Sequence, residues 1–319
     1  MTASVSGKRV ALVLGSGGAR GYAHIGVIRE LRDRGYRIAG ISGSSMGALV
    51  GGLEAAGKLD DFAYWARSLT QRAVLRLLDP SLTAAGVLRA EKILDVVREI
   101  LGDVTIEELP IPYTAVATDL VAGKSVWLQR GPVDAAIRAS IAIPGVIAPH
   151  VFDGRLLADG GILDPLPMAP VASVNADLTI AVSLAGDTQP APEAGSETKP
   201  TAEWLSKLLR GTSALLDTNA VRAVLDRFGP SDTGGAEGAD LVDDATEVAV
   251  PKLGTFEVMN RSIDIAQAAL ARHTLAAYPP DVVIEVPRSV CRSMDFHRAA
   301  EVIEVGRRLA AEALQRLPS

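Results

Sequence analysis

Arg9–Leu14 (RVALVL) reads as a continuous apolar run, the pattern of a strand buried on both faces. It leads into Gly15-Ser16-Gly17-Gly18-Ala19-Arg20-Gly21. Helical spacing follows over Tyr22–Arg34, with Ile25, Ile28 and Leu31 available for one face. Arg37–Ser42 predicts a second strand, and Ala48–Ala56 a helix rich in Ala and Gly. The opening stretch therefore spells strand, glycine loop, helix, strand, sharp turn, helix. This is a βαβα start whose strands should be parallel.

Farther along, Asp60–Leu78 and Glu91–Leu101 predict helices, and Tyr113–Thr118 (YTAVAT) and Ser125–Leu128 predict strands. Val133–Ser140 is helical, and Pro144 ends that segment. Leu156–Ala158 is a short strand into Asp159-Gly160-Gly161; Leu178–Leu184 and Val282–Val286 are further strands. Helices should fill Phe256–Ala276 and Phe296–Leu314. Two polar strips, Gly186–Lys199 and Gly229–Asp244, should be mobile. Between them, Ala202–Phe228 is amphipathic, with Trp204, Leu208 and Leu215 on its apolar face. It reads either as a helix packed on the core or as a hinged cap over an apolar groove. One domain over residues 1–319 is expected, with its core at about 9–185 and 250–316 and an insertion at about 186–249.

The chain has 319 residues, which fits one large α/β domain or two small ones, and 48% of them are hydrophobic, enough for a substantial buried core. Aromatics at 4% and a net charge of −6 argue against nucleic acid, which needs stacking platforms and a basic footprint. An acidic chain gains little from anionic lipid, so membrane contact should be apolar and local. Cys291 is the one cysteine; it permits no internal disulfide and reads as a structural thiol. Met1–Lys8 has no apolar core of signal-peptide length, and no stretch reaches a membrane span. The expected place is the cytoplasm, with room for peripheral contact at the inner face of the membrane. Oligomeric state has no signal in the sequence.

Candidate chemistry centres on Gly43-Ser44-Ser45-Met46-Gly47 between strand and helix. Gly-x-Ser-x-Gly in that setting is a nucleophile elbow: Gly43 and Gly47 allow the sharp turn, and the Ser45 hydroxyl should project into solvent at a helix N-terminus. A serine needs a base within reach and donors for the charge that develops on the substrate oxygen. The glycine loop can supply those donors, at the edge beyond the strand C-termini where α/β folds place their sites. A dinucleotide fingerprint fails, because Arg20 holds the third glycine position and Ser42-Gly43 ends the second strand in place of an acid. A P-loop ending at Gly123-Lys124-Ser125 fails because Thr118 stands where glycine is required. For the base, the order Ser, Asp, His formally allows Ser45, Asp159 and His273 or His297. His273 lies in a helical stretch and His297 at a helix start, whereas Asp159 follows a short strand and precedes two glycines.

The glycine loop, the elbow and Asp159-Gly160-Gly161, in that order and spacing, resemble the patatin-like phospholipase family. Arg138-Ala139-Ser140 through Pro144-Gly145, Asp159–Pro167 (DGGILDPLP) and Met259-Asn260-Arg261-Ser262 resemble its bacterial branch related to neuropathy target esterase. The resemblance covers about Arg9–Arg308 and implies a three-layer α/β/α fold with a mostly parallel central sheet. It implies a Ser–Asp dyad without histidine, Ser45 being the nucleophile and Asp159 the general base. It also implies an oxyanion hole from the N–H groups of Gly17, Gly18 and Ala19, within a loop bounded by Gly15 and Gly21. Arg20 would hold that loop or meet a substrate phosphate. The implied substrate is a lipid ester, phospholipid or lysophospholipid, with no cofactor and no metal. A scaffold that keeps the pocket, and acyl transfer to an acceptor other than water, stay open on the sequence alone.

Overall fold

The computed structural model describes residues 7–77, 91–144, 146–186 and 255–317. The chain divides into two compact units, Met1–Gln189 with Leu253–Ser319, and Pro190–Lys252. The second unit lies outside the described residues, and with it the amphipathic segment Ala202–Phe228.

Eight strands among the described residues form one sheet: β1 (Arg9–Leu14), β2 (Arg37–Ser44), β3 (Tyr113–Asp119), β4 (Lys124–Leu128), β5 (His150–Phe152), β6 (Arg155–Asp159), β7 (Leu178–Gly186) and β8 (Val282–Pro287). Their order is β5-β6-β3-β2-β1-β7-β8, with β4 also paired to β3. The β3-β2-β1-β7-β8 portion is parallel, whereas β4 and β6 run antiparallel to β3, and β5 to β6. The helices are α1 (Ala23–Asp33), α2 (Met46–Ala55), α3 (Leu59–Arg67), α4 (Gln71–Leu77), α5 (Glu91–Leu101), α6 (Val133–Ser140), α7 (Thr255–Ala277) and α8 (Ala299–Gln315). They flank the sheet in the three-layer α/β/α arrangement that the resemblance implied.

The apolar run in β1 has a direct physical cause. Val10, Leu12 and Leu14 enter the larger core with α1, α2 and α8, while Ala11 and Val13 enter a second core with Leu166, Met168 and Ala271. Both faces are covered, so no polar alternation survives. α1 and α8 meet almost backbone to backbone: a Cβ on Gly26 would strike the Ile303 carbonyl, and one on Gly306 the Ala23 carbonyl.

Two expectations are corrected. Asp60–Leu78 is not one helix, because Ser68–Thr70 interrupts it. The Ser68 hydroxyl donates to the Trp65 carbonyl at 2.6 Å, and Thr70 Oγ1 accepts the Ala73 N–H at 3.2 Å, ending one helix and capping the next. The strand β5 is not among the expected elements. Asp153 and Gly154, with φ of 49° and 70°, form the two-residue turn that folds it onto β6. An Asp-Gly turn between Phe152 and Arg155 is a recognisable hairpin signal.

Candidate active site

β2 ends at Ser44 and α2 begins at Met46, so Ser45 alone makes the turn, with φ 55° and ψ −121°. Positive φ is strained for a residue with a Cβ, and only Ser45 and Asp153 show it among the described non-glycine residues. The flanking glycines make room. A Cβ on Gly43 would hit the Gly47 carbonyl, and one on Gly47 the Leu14 carbonyl. The Ser45 N–H donates to Ser140 Oγ at 2.9 Å, and that hydroxyl donates to the Val116 carbonyl at 2.6 Å.

The Ser45 hydroxyl donates to Asp159 Oδ2 at 2.5 Å. Its expected projection into solvent is corrected: Ser45 is 4% exposed and Asp159 3%, because the hydroxyl turns onto the carboxylate inside the protein. Asp159 is fixed on every side. Oδ1 accepts the Gly161 N–H at 2.7 Å, its own N–H donates to the Ala142 carbonyl at 2.9 Å, and its carbonyl accepts from the Thr118 hydroxyl at 2.9 Å. Burial pushes the Asp159 carboxyl up to about 6, against the opposing hydrogen bonds from Ser45 and Gly161. An anion held there is poorly solvated and a stronger base than in water.

The glycine loop abuts the first turn of α2. A Cβ on Gly21 would strike the Met46 side chain, and one on Gly47 would come 2.9 Å from the Gly15 carbonyl. The loop itself is pinned. Gly15 N–H donates to Val182 O at 3.0 Å and Ser16 N–H to Pro165 O at 2.8 Å. His24, fully buried on α1, places Nε2 2.9 Å from the Gly15 carbonyl; a carbonyl only accepts, so Nε2 carries the proton. Burial lowers His24 to about 4, which keeps that ring neutral.

The Ala19 N–H is committed to the Ser293 carbonyl at 2.9 Å. It therefore drops out of the expected donor set, whereas the N–H groups of Gly17 and Gly18 have no hydrogen-bond partner among the described residues. Arg20 is buried and pairs with Asp264 on α7 at 3.1 Å, with Nε unpartnered. Of its two expected roles, holding the loop is the one this contact performs. Arg288 donates to the Asp264 carbonyl at 3.1 Å, and the Ser16 hydroxyl to Gln267 Oε1 at 3.2 Å.

The structure does not bring the other candidates to the pair. His273 is exposed on α7, and His297 sits half-buried in the 3-10 turn Phe296–Arg298. Neither hydrogen-bonds to Ser45 or Asp159, which touch each other with no ring between them. Cys291 is buried, and its thiol is pushed up to about 11, mainly by that burial. Ser140, His24, Asp264 and Gln267 had no assigned part on sequence grounds. Asp264 and Gln267 meet partners more than two hundred residues away, so no local pattern marks them; His24 bonds only nine residues back, and Ser140 stands inside the Arg138-Ala139-Ser140 stretch that carried the resemblance.

A mostly parallel α/β sheet with a strained serine between strand and helix, seated on a buried aspartate, defines a serine-elbow protein with an acid partner. The family model of patatin-like phospholipases matches residues 12–172, which hold the glycine loop, Ser45 and Asp159. The chain belongs to the patatin-like phospholipase family. An uncharacterized NTE family protein of Mycobacterium tuberculosis is 66% identical over 97% of this chain and 92% of its own. Neuropathy target esterase sws of Drosophila melanogaster is 30% identical over 56% of this chain, a match confined to 13% of that protein. Among solved structures, VipD from Legionella pneumophila gives a TM-score of 0.44 at 16% identity, over 97% of this chain and 66% of that one. No helix among the described residues is long and apolar enough to cross a membrane.

Proposed function

We propose that this protein is a serine acyl-hydrolase that cleaves carboxylic esters of lipids, with phospholipid or lysophospholipid as substrate. The observation that carries this reading is the direct 2.5 Å contact between the Ser45 hydroxyl and Asp159, within a family named for phospholipases. Ser45 Oγ attacks the ester carbonyl while Asp159 Oδ2 takes its proton. The N–H groups of Gly17 and Gly18 receive the charge on the carbonyl oxygen. The leaving alcohol regains the proton from Asp159, which leaves an acyl group on Ser45. A water then gives its proton to Asp159, attacks the acyl carbonyl and frees the fatty acid, and Ser45 recovers its proton. The Gly161 N–H keeps the carboxylate oriented through both halves.

The test is turnover of a lysophospholipid series by the full chain, beside Ser45→Ala and Asp159→Asn, with mass spectrometry of a fluorophosphonate adduct. The expected results are an adduct on Ser45 and loss of activity in both variants. Undiminished turnover by Ser45→Ala would overturn the reading.

A further inference from the structure

The outer end of the sheet holds a cavity with no residue of the Ser45 site in its lining. There β4, β3, β6 and β5 are joined edge to edge by antiparallel pairing. The outermost two, β4 and β5, both contribute to the lining of one open cavity of about 350 Å³. Leu128 and Leu157 are buried in its walls, and Val126 and Phe152 half-buried. Arg130 and Arg155 line the same cavity and are exposed. Neither guanidinium makes a hydrogen bond or ion pair among the described residues.

The local charge favours an anion. Asp153 is the one carboxylate in the lining, so two arginines against one aspartate give +1, in a chain whose net charge is −6. The Asp119 carboxylate feels Arg155, but its Oδ1 already accepts the N–H groups of Val121 and Ala122 at 2.9 Å each. Guanidinium groups match the paired oxygens of carboxylates and phosphates. The apolar walls match a hydrocarbon chain, and the volume lies at the small end of the roughly 300–1,000 Å³ range of ligand pockets.

We propose that this cavity binds a single-chain anionic amphiphile, its carboxylate or phosphate at Arg130 and Arg155 and its chain against Val126, Phe152 and the exposed edge of Leu128. Val126, Ala117 and Asp159 stand side by side on β4, β3 and β6. The cavity wall therefore lies two strand spacings, roughly 10 Å, from the proposed base. A fatty acid released at Ser45 is such an amphiphile, so the biological meaning of the site rests on the proposed function. Binding itself does not.

The experiment is calorimetric titration of the full chain carrying Ser45→Ala. The ligands are decanoate, decyl phosphate, decanol and inorganic phosphate. At least one of the two anionic amphiphiles should bind about tenfold or more tightly than decanol and than inorganic phosphate. Which anion wins identifies the headgroup. Arg130→Ala with Arg155→Ala should weaken that binding by about tenfold or more, since both side chains are exposed and their loss should spare the fold. A nitroxide-labelled decanoate should quench Trp127, which lines the cavity, and Trp127→Phe should remove that signal. Equal binding of decanol, equal binding of inorganic phosphate, or undiminished binding by the double arginine variant would each overturn the proposal. With Ser45 intact, the double arginine variant should hydrolyse a soluble short-chain ester at the parental rate. If the parent has no esterase activity, the proposed function falls and the titrations still decide the cavity.

Discussion

The backbone N–H of Ser45 is held by the side chain of Ser140 at 2.9 Å, and Ser140 is anchored in turn to the Val116 carbonyl at 2.6 Å. The strained turn that carries Ser45 is therefore secured from α6 and β3, not only by its own glycines. It also removes the Ser45 N–H from the donors available to a substrate oxygen.

Ser140→Ala should leave that N–H buried and unpaired, at a cost of about 1–3 kcal/mol in stability. Because the elbow loses its anchor, kcat on a soluble ester should fall by about tenfold while KM stays near the parental value. Ser140→Thr keeps a hydroxyl and should restore most of the loss. Equal kcat in Ser140→Ala and parent would show that the elbow holds itself.

In the proposed mechanism Asp159 takes the Ser45 proton as an anion, and burial has pushed its carboxyl up to about 6. The rate should therefore climb with pH through about 6, and kcat/KM measured from pH 4.5 to 8 reads this directly. Asp159→Asn should lower kcat by about 100-fold or more. The same residue costs stability. A carboxyl whose folded pKa is raised contributes stability below its unfolded value near 3.8, and loses it as pH rises through about 6. At pH 8, Asp159→Asn should therefore be more stable than the parent by about 1–3 kcal/mol in urea titrations.

His24 has the opposite sign. Its folded pKa is lowered from 6.5 to about 4, so its stability is complete above 6.5 and declines as pH falls toward 4. Asp159 and Asp164, both raised to about 6, gain over part of the same window, so the parent's raw slope mixes the groups. The difference between parent and His24→Gln isolates the histidine. That difference should shrink by about 3 kcal/mol between pH 7 and pH 4. A constant difference would mean that His24 is not held neutral.

Arg20 is buried and Asp264 partly so, with side chains 6% and 28% exposed. Asp264→Asn removes the countercharge and should cost about 1–3 kcal/mol, the lower range reflecting solvent at the aspartate. Arg20→Met in the same background should recover much of it, because no buried charge is then left alone. A double-mutant cycle by thermal unfolding measures the coupling.

The sheet and the elbow were legible because their signals are local. A run covered on both faces, as in β1, leaves a solid apolar string, and the glycines around Ser45 mark a turn that few other residues allow. Asp159 was visible as an acid before two glycines, and the Ser, Asp, His order allowed it beside Ser45, but only the family resemblance paired the two directly, without a histidine, across 114 positions. The commitment of Ala19 to Ser293, and of Arg20 to Asp264, depends on segments more than two hundred residues downstream. Nothing near either position announces those bonds. The hairpin of β5 and β6 could have been found from the Asp153-Gly154 pair that turns it.

The clasp between the glycine loop and Ser293 has a consequence for biosynthesis. A ribosome finishes Ser45 and Asp159 long before it reaches the clasp, and α8, which braces α1 backbone to backbone, comes later still. The half-made chain therefore lacks this hold on its glycine loop, and gains it only after Ser293 and the α8 brace behind it have been made.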